Sequence, residues 1–402
     1  MPSQSHGRAC LVVAVCLVTL FLILDFQRRN AKGTYAYTSS TKGSSSGIGN
    51  QTLGFEKIFV INAPWRTDRK DSISIAASYS GIALEWIKGV DADKIKEKAY
   101  PPGNHRDVSH GGLGSWRAHM DAMREIVARN ITTALIFEDD ADWDFRIREQ
   151  LQPFSQAARE IPELASKADS HASQHPPASE EKEIDPSNLA KCSSISLPLH
   201  SARSLPTTDP YGRDWDVLWL GHCGAELPPP SPFHPNRLTL SNDKTVASPK
   251  HLKPMANAPQ DPIATLYPPK TRLYHRTSNS TICTLAYAVT QSGARKILYQ
   301  FGIRGFSKGY DFALSDYCAG IGRDMVKENT GDEEGGIRRP MCVTVQPPLF
   351  SHFWPEKGES DIMGTGAGGR ELGTRYVRKS VRANIERLVR GNEGVEERWG
   401  DD

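Results

Sequence analysis

Apolar residues in this chain fall into short unbroken runs separated by longer stretches of helical periodicity. The first run, "EKIFVIN" (Glu56 to Asn62), reads as a strand, and a helix is expected over Arg69–Ser80. "ALEWIKGVDA" reads as a second strand and turn. In "VSHGGLGSWRAHMDAMREIVARN", Trp116, Met120, Met123, Ile126 and Val127 recur at helical spacing and leave Arg117, Asp121 and Arg124 outward. The strand "TALIFEDD" follows. Later come a buried strand in "WDVLWLGHCG" and a strand in "CTLAYAVTQSGARKILYQFG", continued by a helix that begins near Ser292 and stops at Gly302. Short apolar strands alternating with amphipathic helices predict an α/β domain on a mostly parallel sheet, with ligands at the carboxyl ends of its strands.

Between these elements, residues 155–210 and roughly 226–270 are rich in Pro, Ser and charge, and read as insertions without structure. The predicted domain spans 55–370, and residues 371–402 form a basic, weakly amphipathic C-terminal helix or tail. Residues 27–54 form a Ser/Gly/Thr-rich stem. Ahead of the stem, the block "ACLVVAVCLVTLFLIL" is apolar over Ala9–Leu24, and Phe26 extends it. Its 16 residues approach the span of about 17–25 that a membrane helix needs, and no small-x-small cleavage site follows. The expectation is a single signal-anchor helix at 9–26 behind a cytoplasmic tail, residues 1–8. Basic residues are more numerous after the block than before it, which argues against a lumenal body. The sequons at Asn50, Asn130 and Asn279 argue for one.

Composition adds mainly exclusions. With 49 Lys+Arg against 47 Asp+Glu the net charge is +2, so no single-signed field favours nucleic acid. Seven cysteines include no CxxC pair, which disfavours zinc ribbons and thioredoxin-type chemistry. The five beyond the anchor allow one or two disulfides, whose pairing the spacing leaves open.

The chemistry concentrates where Ala134–Phe137 runs into Glu138, Asp139 and Asp140. Adjacent like charges at the end of a buried run repel and lose hydration. If the chain stays extended, Glu138, Asp140 and Asp142 share one face and Asp139 takes the other. Carboxylate oxygens of this kind suit Mg2+ or Mn2+ with substrate phosphates completing the shell. The bland alternative is a solvated acidic turn, and the apolar approach to the acids weighs against it.

In order along the chain, "FVINAPWRTDRK", "KGVDA", "GGLGSWRAHMDAMREI", "ALIFEDDA", "WDVLWLG", "AYAVTQSGARKIL", "YDFALSDYC" and "QPPLFSHFWPEKGESDI" resemble the blocks of glycosyltransferase family 25, which includes lipooligosaccharide and procollagen galactosyltransferases. The resemblance implies a GT-A-like fold, a UDP-sugar donor carrying galactose, Mn2+, and an inverting transfer to a glycan or glycoprotein hydroxyl. It implies donor contacts from Asn62, Arg66, Arg69, Glu138 and His119, and a metal held by Asp139, Asp140, Asp142 and His352. Asp311 or Asp316 would serve as base, with Asp311 preferred. Such an enzyme belongs in the Golgi or endoplasmic reticulum membrane, single-pass and type II, with a lumenal catalytic domain. The rival readings are an inactive lectin-like or scaffolding relative, and a metal-dependent phosphoesterase.

Overall fold

The first apolar run forms β1 (Lys57–Asn62), buried at every position after Lys57, and pairs in parallel with both β2 (Glu85–Lys88) and β3 (Thr133–Glu138). The computed structural model describes residues 47–174, 194–197, 208–229, 235–254, 258–278, 280–321, 339–354, 375–392 and 394–401. The expected anchor at 9–26, most of the stem and the "KGESDI" end of the last family block lie outside the described residues. Among the described residues, no helix is long and apolar enough to cross a membrane.

The sheet continues through β9 (Ala286–Thr290), β6 (Val217–Gly221), β10 (Cys342–Gln346), β8 (Arg272–Arg276), β7 (Arg237–Leu240) and β5 (Ser194–Ser196). Its directions are mixed, which corrects the mostly parallel expectation. β9 lies antiparallel between β3 and β6, and β8 lies antiparallel between β10 and β7. An apolar run such as Ala286–Thr290, buried throughout, looks the same in either direction, so pattern alone did not fix its sense.

Helices α1 (Thr67–Ser80) and α2 (His110–Ala128) flank the parallel part. Ser109 caps α2 by accepting from the Gly112 amide at 3.2 Å. Trp116, Met120, Met123 and Ile126 of α2 bury against Phe59, Ile136 and Tyr287 in one of the two main core clusters. At Gly114 a Cβ would run into the Val90 carbonyl oxygen, so only glycine lets α2 approach the turn after β2 so closely.

Two expectations about the connections are corrected. α3 runs from Ile147 to Gln174, through about the first third of the supposed insertion, because Leu151, Phe154, Ala158 and Ile161 present one apolar face to the core. Its prolines, Pro153 and Pro162, concealed that periodicity. The second excursion holds β7 and a short α4 (Pro262–Leu266), capped by Asp261. The helix after β9, α5 (Gln291–Tyr299), is capped by Thr290. It is followed by α6 (Tyr310–Ala319).

The C-terminal tail is not one long basic helix. Among its described residues only α7 (Ile385–Val389) and a preceding 3-10 turn are helical, and Arg378 and Arg382 are buried. Disulfides join Cys223 to Cys283 and Cys318 to Cys342. Cys192 lies outside the described residues.

Candidate active site

The parallel register sets Ile61 beside Glu138, so the residues that follow, Asn62 and Asp139, leave the sheet side by side. The strand ends there. Alternation of faces therefore stops, and Asp139 and Asp140 turn towards the same guanidinium instead of opposite sides. Arg69, in the first turn of α1, donates to Asp139 Oδ1 at 2.9 Å and to Asp140 Oδ2 at 2.8 Å. Asn62 Nδ2 donates to Asp139 Oδ2 at 2.7 Å.

A short β4 (Ala141–Trp143) pairs antiparallel with β11 (Phe350–His352), which brings His352 back over the acids. His352 Nε2 lies 3.0 Å from Asp140 Oδ2, and its ring stacks on Trp354 with centroids 3.5 Å apart. The backbone amide of Phe353 donates to the Asp140 carbonyl at 2.8 Å.

Both acids are buried, and their environments divide them. Burial, then the charge of Asp140, pushes the Asp139 carboxyl up, against the pull of Arg69 and Asn62. For Asp140 burial acts in the same sense, but His352 and Arg69 outweigh it and hold that carboxyl well below the usual range. Asp140 is thus the firmly ionised member. Its Oδ1 is buried without a hydrogen-bond partner among the described residues, as is His352 Nδ1. A buried carboxylate oxygen left unsatisfied is costly, so a further cation or hydrogen-bond donor at this corner would be stabilised.

Asp142 corrects the expected ligand set. Its side chain is fully buried and faces the C-terminal segment, where the Ser380 hydroxyl donates to Oδ2 and the amides of Trp143 and Arg382 donate to Oδ1. Burial pushes its carboxyl up to about 6, partly opposed by Ser380 and Arg382. Arg382 spans the same corner, donating to the carbonyls of Asp139 at 2.9 Å and Ala141 at 3.1 Å, with its guanidinium 4.6 Å from the Phe353 ring centroid. Neither Ser380 nor Arg382 was foreseen. In the sequence they are two polar residues in a basic tail, and nothing in their spacing points to β4.

Glu138 also turns away from Asp140. Its Oε1 accepts from Thr284 Oγ1 at 2.5 Å and lies 3.4 Å from His119 Nε2. His119 is buried, stacked on Tyr310, with Nδ1 2.8 Å from the Tyr287 hydroxyl. It supports Glu138 from inside the core and offers no face to a nucleotide. Asp311, in the first turn of α6, accepts from the Cys283 amide at 3.0 Å. Burial raises its carboxyl, and the Glu138 charge adds to the rise. Asp316 is ion-paired to Lys308 outside this group, and Arg66 holds Asp68 with two hydrogen bonds of 2.9 and 2.8 Å.

The structure therefore gathers Asn62, Arg69, Asp139, Asp140 and His352 at one point. It sets Glu138, His119 and Asp311 along the neighbouring Cys283–Thr284 turn, and it leaves Arg66, Asp142 and Asp316 engaged elsewhere.

Comparison with known proteins bears on this geometry. The family model described as glycosyltransferase family 25 (LPS biosynthesis protein) matches residues 55–207. A procollagen galactosyltransferase 1 from Danio rerio is 28% identical over 116 residues, covering 26% of this chain and 19% of the relative. A procollagen galactosyltransferase 2 from Mus musculus is 24% identical over 111 residues, 25% of this chain and 18% of the relative. A human protein named inactive glycosyltransferase 25 family member 3 is 25% identical over 112 residues, 25% of this chain and 19% of the relative. The chain thus spans about a fifth of the length of the curated relatives it matches. The segment that builds β1 to α3, with Asn62, Arg69 and the paired acids, is confirmed as similar to glycosyltransferase family 25.

Proposed function

We propose that the chain is a metal-dependent, inverting glycosyltransferase that moves a hexose, galactose by its resemblance, from a UDP-sugar to a hydroxyl of a glycan or glycoprotein. The observation that carries this reading is the buried Asp139–Asp140 pair at the mouth of the sheet. One oxygen of Asp140, Oδ1, has no partner there among the described residues, and His352 Nε2 lies 3.0 Å from its other oxygen.

By its chemistry that donor set suits a divalent cation, although Arg69 stands between the acids and the three side chains are not drawn together as a closed ligand group. Carboxylate oxygens and an imidazole nitrogen match the preferences of Mn2+, with Mg2+ as the harder alternative. Asp139, Asp140 and His352 would hold the ion, without Asp142. A bound ion supplies positive charge to the diphosphate as it departs. Asn62 and Arg69, at the end of β1 and the start of α1, would hold the donor, Arg69 as a planar hydrogen-bond donor to phosphate. Asp311 is the group left for the base: it would take the proton of the acceptor hydroxyl as that oxygen attacks the anomeric carbon and UDP leaves. Burial makes its carboxyl a stronger base than an exposed aspartate. The ion pair of Asp316 with Lys308 favours Asp311 over it for that role. An N-terminal anchor with a lumenal domain in the Golgi or endoplasmic reticulum completes the reading.

A second reading, an inactive member of the family, draws on Arg69. Its guanidinium already bridges Asp139 and Asp140 as a cation would. One experiment separates the two. The purified chain is incubated with a panel of UDP-sugars, with and without Mn2+, and UDP release is measured. Metal-dependent release that disappears in Asp140→Asn supports transfer. No release with any donor, or release unchanged in Asp140→Asn, overturns it.

A further inference from the structure

We infer that Asn130 carries an N-linked oligosaccharide. The inference extends the lumenal placement proposed above, and its test does not depend on the transfer reaction. Of the three sequons, Asn130-Ile131-Thr132 lies in the turn between α2 and β3, where Asn130 is exposed in a left-handed conformation at φ 56°. The fold uses the carboxamide oxygen of Asn130, which accepts from Gln291 Nε2 at 2.6 Å. The nitrogen, the atom that bears a glycan, has no hydrogen-bond partner among the described residues. Thr132 is exposed too, its hydroxyl donating to Glu56 Oε2 at 2.7 Å.

The other sequons are less suited. Asn50 and Thr52 are only half-exposed, in a turn that Asn50 Oδ1 caps by accepting from Thr52 N at 2.9 Å, Thr52 Oγ1 at 3.1 Å and Gly54 N at 3.0 Å, against the buried Ile48 and Leu53. Asn279 lies outside the described residues, and its Thr281 is fully buried. The two disulfides are consistent with an oxidising compartment, where this modification is made.

The modification needs a lipid-linked oligosaccharide diphosphate and the host's oligosaccharyltransferase. The bond from the anomeric carbon to phosphate breaks, a bond from that carbon to Asn130 Nδ2 forms, one Nδ2 proton goes to the transferase's base, and the lipid diphosphate leaves. Asn130 precedes β3 and the acids follow it, so a glycan here sits about 20 Å from the candidate active site, at the opposite end of the strand. It would coat the amino-terminal rim of the sheet and leave the mouth open.

The full chain is expressed in a eukaryotic secretory host, and its electrophoretic mobility is compared before and after peptide-N-glycosidase treatment. Asn130→Asp, which tolerates the left-handed turn, is expected to lose one glycan-sized step. Thr132→Ser, which keeps the sequon and a hydroxyl for Glu56, is expected to retain it. An Asn130→Asp chain that migrates with the untreated wild type overturns the inference, whether another sequon or none is occupied. UDP release measured on the same preparations keeps a failure of the transferase reading distinguishable from a failure here.

Discussion

Replacing Arg382 with methionine tests whether the C-terminal segment is part of the acid site or merely rests on it. The side chain is buried and donates to two main-chain carbonyls, Asp139 and Ala141, and to Ser72 Oγ at 3.2 Å. Hydrogen bonds to a charged group contribute about 1.5–3 kcal/mol each, and Met leaves both carbonyls without that donor. It also removes the positive charge nearest the buried Asp142 carboxyl. Against this stands the cost of burying the guanidinium, which pulls its own pKa down. Breaking one side of such a buried arrangement costs about 3–5 kcal/mol, and that is the loss expected for Arg382→Met by urea unfolding monitored through tryptophan fluorescence. A double-mutant cycle sharpens the test. Asp142→Asn removes the charge that Arg382 offsets while keeping an oxygen for the Trp143 and Arg382 amides, so the second change should cost less in the Arg382→Met background. A loss below about 1 kcal/mol, or two losses that add to within about 0.5 kcal/mol, would refute the coupling.

Other expectations follow from the same contacts. His222 and His275 are buried, and burial depresses each imidazole to about 4. Their neutral forms contribute stability that is complete above pH 6.5 and is lost as pH falls through 4, up to about 3 kcal/mol each. His222→Gln should flatten acid unfolding in that window, and an unchanged profile counts against the assignment. Asp261 behaves oppositely: burial raises its carboxyl to about 6, so its contribution is present below the unfolded value and lost as pH rises through 6. Asp261→Asn should therefore be more stable than wild type at pH 8 and equal to it at pH 4 by thermal unfolding; equal stability at both would exclude the effect. Arg69→Met should tighten Mn2+ binding by calorimetry about tenfold, near 1.4 kcal/mol, because the paired carboxylates lose their internal counter-ion. Weaker or unchanged binding would show that Arg69 does not compete with the metal.

Much of this site was legible in the sequence because its parts are local. The apolar run into Glu138, Asp139 and Asp140 fixed the end of β3, and Asn62 and Arg69 lie within a few residues of β1. What failed was carrying strand alternation past the end of a strand. Asp142 was placed with Asp140 on that rule, yet the turn at Asp139–Asp140 resets the direction of each side chain. Contacts of long sequence separation left no trace: Ser380 meets Asp142 across 238 residues and Thr284 meets Glu138 across 146. Direction in the sheet was invisible for a similar reason, since the strand buried at Ala286–Thr290 has no polar face to orient it. The helix over Ile147–Gln174 was legible in principle, from Leu151, Phe154, Ala158 and Ile161, but its two prolines and polar second half read as a linker.

The Cys223–Cys283 bond reaches beyond holding two loops together. Through the amide of Cys283 and the hydroxyl of its neighbour Thr284, the same crosslinked turn grips both Asp311 and Glu138. Whether these two acids are aimed correctly is thereby tied to the thiol chemistry of the surroundings. Without that crosslink the turn would hold both acids less firmly, so maturation among reductants is expected to loosen their aim. Comparing oxidised and dithiol-treated samples at equal helical content would reveal that dependence, and identical turnover in both would dismiss it.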